Sequence, residues 1–292
     1  MTIAAGFNFT GGILLGADKK QSARMKLSAS KIFHKTYNDG SKSVIVIAGS
    51  VMYARMGMQS IEAMIEAIPN RKRTTEAMVA RVTEAVRLLH HNFLFKHPET
   101  PEVQYVIGLW SPSGGLKLIT TEDTAVNEMR GYDCVGAGAY LAHYLVRSLY
   151  QESDRNFPDV LTIAVNAFAR IRAYDNDCGG DSEFITLLAD GKMSPVDSFD
   201  ISKIEIYSDE FDDAASQLFI HLYRPSTTIE STDEELKKFS NLLRIAIHDL
   251  KNTEALVRFG EKLGPPPKDI AERIKTFAGK KRRMKAKKEL LD

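Results

Sequence analysis

The chain has 292 residues, enough for one large domain or a core with an appendage, and 43% hydrophobic content fills a sizeable interior, which excludes a largely disordered chain. With 39 Lys+Arg against 38 Asp+Glu the formal charge is +1, so no global field points to nucleic acid or a membrane as the main partner. Cys134 and Cys178 are the only cysteines, too few for a disulfide framework or a four-ligand site.

Ile3-Ala4-Ala5-Gly6-Phe7-Asn8-Phe9 and Ile13 to Ala17 are apolar runs around Thr10-Gly11-Gly12, which predicts a hairpin. Lys31-Ile32-Phe33 and Ser43 to Ala48 bracket the turn-rich Tyr37-Asn38-Asp39-Gly40 and predict a second pair of strands. From Ser50 the period becomes helical: Ile61, Met64, Ile65 and Ile68 recur at helix spacing, as do Met78, Val82, Ala85, Val86, Leu89 and Phe93. Strands return at Val103 to Trp110 and Leu116 to Thr121, helices near Ala139 to Tyr150 and Leu161 to Tyr174. A last hairpin starts at Phe184 to Ala189 with its turn at Asp190-Gly191.

Strands that are apolar at most positions need both faces covered, and two pairs of amphipathic helices can cover the outer faces of two stacked sheets. The expected fold is therefore α+β, a four-layer α-β-β-α sandwich of two antiparallel sheets. Residues 1–205 form this domain in the reading, and residues 206–292 a helical extension. In the extension Leu236, Phe239, Leu243, Ala246, Ile247 and Leu250 make an apolar stripe, with Ser231 to Glu235 as the expected cap. Gly264-Pro265-Pro266-Pro267 breaks the pattern before a basic tail that includes Lys280, Lys281, Arg282 and Arg283. The tail reads as a solvated end or as a docking element for an acidic partner or nucleic acid.

Thr2 becomes the N-terminus if Met1 is removed. An N-terminal threonine holds nucleophile and base in one residue, because its hydroxyl can attack a carbonyl while its own α-amine takes the proton. An α-amine ordinarily titrates at about 7.7 to 8.0, so part of it is free base near neutral pH. No leader of signal-peptide type opens the sequence, so a cytoplasmic location is expected.

Thr2, Gly16-Ala17-Asp18, Ser30-Lys31-Ile32 and Ala48-Gly49-Ser50 occur in this order, and on them the chain resembles a proteasome β-type subunit of the N-terminal nucleophile hydrolase superfamily. The resemblance covers roughly residues 2–200. The interval from Thr2 to Asp18 equals that from nucleophile to aspartate in the family, whereas the loop before Lys31 is shorter. By resemblance Thr2 is the nucleophile, Asp18 the structural acid and Lys31 the lysine whose charge lowers the amine pKa. Gly49 supplies the oxyanion N–H. Asp175 and Cys178 fall on the family's Asp-x-x-Ser-Gly-Gly segment beside the terminal amine, with Cys in place of Ser and with Asp177 competing for the role of Asp175. Gly136-Ala137-Gly138 falls on a loop that often carries serines, and Ala137 brings no hydroxyl.

The resemblance also places the primary specificity pocket near Gln21, Ala29, Phe33, Ile47 and Val51, mostly apolar positions that imply cleavage after hydrophobic side chains. It implies a threonine-type peptidase acting on peptides or unfolded proteins in a self-compartmentalising homo-oligomer. An unidentified ATPase stays open as a partner. No cofactor and no metal are expected: His90-His91 lacks a second pair of ligands, and Gly136-Ala137-Gly138 lacks the spacing of a phosphate loop. Cys178 as a thiol nucleophile has no readable histidine partner. Two other readings stay open, an amidase or transpeptidase with a restricted substrate, and an inactive scaffold. The family's α-type scaffold subunits start with an added helix, whereas this sequence opens on a strand pattern.

Overall fold

A computed structural model describes residues 3–21, 27–28, 30–97, 99–150, 155–175, 178–222 and 228–251. Thr2, Ala29, Asp177 and the basic tail lie outside the described residues. The chain divides after Ile201 into two compact units.

The first unit opens with the hairpin β1 (Ile3–Phe9) and β2 (Gly12–Asp18), reversed at Thr10-Gly11, where Gly11 adopts φ +92°. A short pair, β3 (Lys20–Gln21) and β4 (Leu27–Ser28), leads to β5 (Ile32–Thr36) and β6 (Lys42–Gly49). Helices α1 (Val51–Glu66) and α2 (Thr75–Asn92) follow, then β7 (Val103–Ser111), β8 (Gly115–Glu122), β9 (Ala125–Met129) and β10 (Tyr132–Gly136). Helices α3 (Ala139–Arg147) and α4 (Phe157–Tyr174) precede β11 (Ser182–Leu188) and β12 (Met193–Pro195).

Two five-stranded antiparallel sheets result, sheet I in the order β10-β1-β2-β11-β12 and sheet II in the order β5-β6-β7-β8-β9. Helices α1 and α2 lie on sheet II, α3 and α4 on sheet I, and β1 and β2 pack against β6 and β7 between them. This is the expected four-layer sandwich. Its middle seam holds Ile13, Leu15, Val44, Val46, Val106, Leu118 and Leu187, all essentially buried. Because β2 is covered on both faces, every one of its residues is buried and it reads as an apolar run up to Asp18. At Gly6 a Cβ would come within 2.6 Å of Leu118 and 2.7 Å of Val106, so the absent side chain lets the sheets approach.

Local chemistry sets the helix boundaries. Thr74 caps α2 by accepting from the Ala77 N–H, and Asn156 caps α4 by accepting from the Asp159 N–H at 2.9 Å. That cap starts α4 four residues before the first predicted apolar position, Leu161. The buried Arg73 guanidinium satisfies the end of α1, donating to the carbonyls of Ile65, Glu66 and Ile68 while pairing with Asp39 at 2.6 Å. Helix α3 ends at Arg147, short of the predicted Tyr150.

The division between the units falls within α5 (Ser198–Leu222), and α6 (Ile229–Lys251) follows. In the second unit the Tyr207 hydroxyl donates to Asp249 at 2.8 Å, Lys203 pairs with the same carboxylate at 3.1 Å, and the Phe211 and Phe239 rings stand 5.3 Å apart. Helices α5 and α6 therefore run antiparallel here. The expected cap at Ser231 to Glu235 is corrected: α6 already starts at Ile229. Thr228 and Ser231 exchange caps, each hydroxyl accepting from the other's main-chain N–H, which makes Thr228 the cap and places Ser231 at the third helical position. Of the expected stripe, Phe239, Leu243 and Ala246 are half-buried, Leu236 is 46% exposed, and the side chains of Ile247 and Leu250 lie outside the described residues; Ile245, which was not in the stripe, is buried. No helix among the described residues is long and apolar enough to cross a membrane.

Candidate active site

The chemistry-bearing residues gather where β2 and β6 end and β5 and β11 begin. Asp18 is the last residue of β2 and is fully buried. Its Oδ1 accepts from the Lys31 ammonium at 2.8 Å and from the main-chain N–H of Ile3 at 3.2 Å, while Oδ2 accepts from the Gly179 N–H at 2.9 Å. One ammonium and two main-chain donors are among the groups that hold this carboxylate. Ile3 is the residue bonded to Thr2, so the aspartate grips the chain one peptide unit from the expected nucleophile.

Lys31 directly precedes β5 and is 2% exposed. Burial lowers its pKa below the ordinary lysine value, opposed by the hydrogen bond and charge of Asp18 and by the charge of Glu183. Its carbonyl accepts from the Ile47 N–H at 3.1 Å. Its own N–H donates to Glu183 at 2.8 Å.

Gly49 ends β6 at φ +88°, and a Cβ there would lie 2.1 Å from the Glu102 carbonyl oxygen. Both the dihedral and the contact require glycine. The next residue, Ser50, donates its N–H to that same carbonyl at 2.8 Å before α1 begins.

Asp175 ends α4, and its carboxylate accepts from the Cys178 thiol at 3.6 Å. Burial pushes the Cys178 thiol up to about 12, reinforced by the negative charges of Asp18 and Asp175. It is a protonated donor at neutral pH, not a thiolate. A Cβ on Gly138 would lie 2.8 Å from Cys178 Sγ and 3.3 Å from Ile3 Cβ, so the loop after β10 closes tightly on both. Gln104 fastens that loop by accepting from the Gly136 N–H at 2.8 Å. Ala137 at its tip is exposed.

The pocket positions are brought together less completely. Phe33 packs on the cluster beneath α1 and α2 that contains Ile47, but Ile47 is 2% exposed and presents little surface to a substrate. Val51 opens α1 and is half-buried. The backbone of Gln21 pairs with Leu27. Among the described residues, no group of three or more His, Cys, Asp or Glu side chains is arranged to hold a metal ion.

The sequence reading missed Glu183, the Gly179 N–H and Gln104. Glu183 alone carried a readable signal, a charge directly before the largely apolar run Phe184 to Ala189.

Two five-stranded antiparallel sheets between helix layers match the α+β sandwich of the N-terminal nucleophile hydrolases. A family model described as proteasome subunit matches residues 2–186. The chain belongs to the proteasome subunit family. No curated protein matches it. Among solved structures it is similar to an Anbu (Gly-1) mutant from Hyphomicrobium sp. strain MC1, with TM-score 0.63 and 13% identity over 77% of this chain and 100% of that one. It is also similar to Anbu (ancestral beta-subunit) from Yersinia bercovieri, with TM-score 0.63 and 10% identity over 78% and 99% of the two chains. A third likeness is the helical assembly of the Anbu complex from Pseudomonas aeruginosa, with TM-score 0.62 and 13% identity over 77% and 98%. At these identities the likeness shows the fold alone.

Proposed function

We propose that the chain is a threonine-type hydrolase that cleaves amide bonds through an acyl-enzyme ester on Thr2 once Met1 has been removed. The observation that carries this reading is the buried Asp18 carboxylate, which binds both the Lys31 ammonium and the N–H of the residue after Thr2. In the proposed cycle the Thr2 hydroxyl attacks the substrate carbonyl and its amine takes the proton. Lys31 keeps that amine unprotonated and favours the developing alkoxide. The Gly49 N–H stabilises the oxyanion. Asp175 and the Cys178 thiol orient the terminal amine, which then protonates the leaving amine, and water hydrolyses the ester.

Peptides or unfolded proteins are the proposed substrates, and a homo-oligomer is the proposed assembly, supported by the family and by the assembled Anbu relative. A panel of fluorogenic peptide amides tests the reading. Turnover is expected with Leu before the scissile bond and is lost in Thr2→Ala. Faster turnover with Arg there overturns the apolar pocket, and unchanged turnover in Thr2→Ala overturns the nucleophile.

The hydroxyl-free Gly136-Ala137-Gly138 loop, packed on Cys178 and Ile3, favours a second reading: an amidase or transpeptidase with a restricted substrate. A ligated product when a primary amine is added during turnover distinguishes it.

A further inference from the structure

We infer that Glu183 is the positioning residue for Lys31: its carboxylate clamps the approach to β5 against β11 and thereby aims the Lys31 ammonium at Asp18. The inference rests on the proposed threonine mechanism, in which Lys31 acts on the Thr2 amine.

One carboxylate oxygen, Oε1, accepts from the Lys31 main-chain N–H at 2.8 Å and from the Ser30 hydroxyl at 2.8 Å. The other, Oε2, faces the Lys19 ammonium at 3.9 Å. Glu183 belongs to sheet I and β5 to sheet II, so these bonds tie the two sheets together at the site. The register of β11 places Glu183 opposite Ala17 and Ser182 opposite Asp18, which brings the clamp beside the carboxylate that Lys31 must reach.

The clamp is needed because β5 is an edge strand. At its head, β6 fixes Lys31 through one bond, from the Ile47 N–H to the Lys31 carbonyl. That bond leaves the Lys31 N–H to be satisfied elsewhere, and Glu183 satisfies it. A lysine side chain has four rotatable bonds, and its head group is directed only if its backbone is fixed. Ser30 strengthens the grip: while bonding Glu183, its hydroxyl also accepts from the Ile32 N–H at 3.2 Å, so the carboxylate holds a small turn and not a single atom.

Among the described residues the charged groups facing Lys31 are Asp18 from β2 and Glu183 from β11; the Cys178 thiol, from the loop before β11, is titratable but neutral near pH 7. Glu183 thus adds charge as well as geometry, and the two can be separated by substitution. Glu183→Gln keeps an oxygen that accepts both bonds and removes the charge, whereas Glu183→Ala removes both.

The test uses the full chain and the rate of adduct formation with a peptide epoxyketone, followed by intact mass across about pH 6 to 9. Misplacing the lysine slows the reaction of E183A about 10- to 100-fold. E183Q reacts within about threefold of wild type at its own optimum, because the acceptor survives in weaker, neutral form. Its profile moves to lower pH, since losing a nearby negative charge disfavours protonated amines. Ser30→Ala falls between wild type and E183A. A role confined to folding would lower the melting temperature of E183A while leaving the folded fraction as reactive as wild type, with no displacement of the E183Q profile; either result overturns the inference. If E183A does not fold, Ser30→Ala, which removes one of the two bonds to Glu183, decides: slowed adduct formation supports the clamp, a wild-type rate overturns it. Thr2→Ala separates the layers. No adduct on wild type, or an undiminished one on Thr2→Ala, removes the threonine mechanism and this inference with it. An adduct lost only in Thr2→Ala and undiminished in folded E183A removes the inference alone.

Discussion

Replacing Lys31 by Met tests whether the Asp18-Lys31 pair is a structural unit as well as a chemical one. The pair is 2.8 Å apart, with side chains 0% and 3% exposed. Methionine matches the length of the lysine stem but takes away the ammonium, and the Asp18 charge stays where water cannot replace it. Removing one partner of a buried pair costs about 3 to 5 kcal/mol. The two main-chain N–H groups still bound to Asp18 offset part of that loss, so the lower end, about 3 kcal/mol, is expected. Asp18→Asn leaves a buried lysine that can discard its proton, which costs less. It also loses one main-chain bond, because an amide accepts on one oxygen only. The double variant holds no charge at all and recovers a coupling energy of about 2 kcal/mol relative to the sum of the singles. Trp110, the sole tryptophan, sits on β7 in the same unit, so its fluorescence during urea unfolding reports the relevant transition. A loss below about 1 kcal/mol for Lys31→Met, or strictly additive singles, would refute the reasoning.

Three further outcomes are expected. Gly49→Ala meets both the φ of +88° and the 2.1 Å approach to the Glu102 carbonyl, so the amide is displaced and kcat falls about 10²- to 10³-fold; the reading fails if peptide turnover is within a few fold of wild type. Neither Cys178 nor Cys134 is alkylated by iodoacetamide in the folded protein at mildly alkaline pH, since burial raises both thiols and each is nearly inaccessible; rapid labelling of Cys178, mapped by peptide mass, contradicts this. His90 is 2% exposed, and neither ring nitrogen has a hydrogen-bond partner among the described residues. Burial lowers its pKa, so the unfolded chain takes up the proton first. Stability tied to His90 is therefore complete above its unfolded pKa, about 6.5, and is lost as pH falls below it. His90→Leu should raise the melting temperature more at pH 5 than at pH 8, and an equal gain at both would count against the assignment.

What the sequence disclosed depended on how each segment is buried. Strands β2, β6 and β7 are covered on both faces and stand out as apolar runs, and the helices on sheet II show their period because one face of each meets a core. The edge strands β9 and β10 were not legible: Ala125–Met129 is largely exposed, so pairing with β8 rather than side-chain pattern makes it a strand. The start of α6 was hidden because Thr228 caps through a serine rather than the usual acidic partner. Asp18 and Lys31 could be picked out only through the spacing of a resemblance. The Gly179 N–H, which completes the grip on Asp18, could not, because a main-chain donor leaves no trace in residue type. Glu183 acts through the backbone of Lys31, 152 positions away, and no local pattern encodes that distance.

The central claim is that the Thr2 hydroxyl and a free Thr2 amine act together, and intact mass of the purified full chain before and after a peptide epoxyketone tests it most directly. That reagent closes its ring only on a hydroxyl and a free amine of the same residue. The account predicts loss of Met1, one adduct per chain and no adduct on Thr2→Ala. Retained Met1 with no adduct, or an adduct that survives Thr2→Ala, contradicts it.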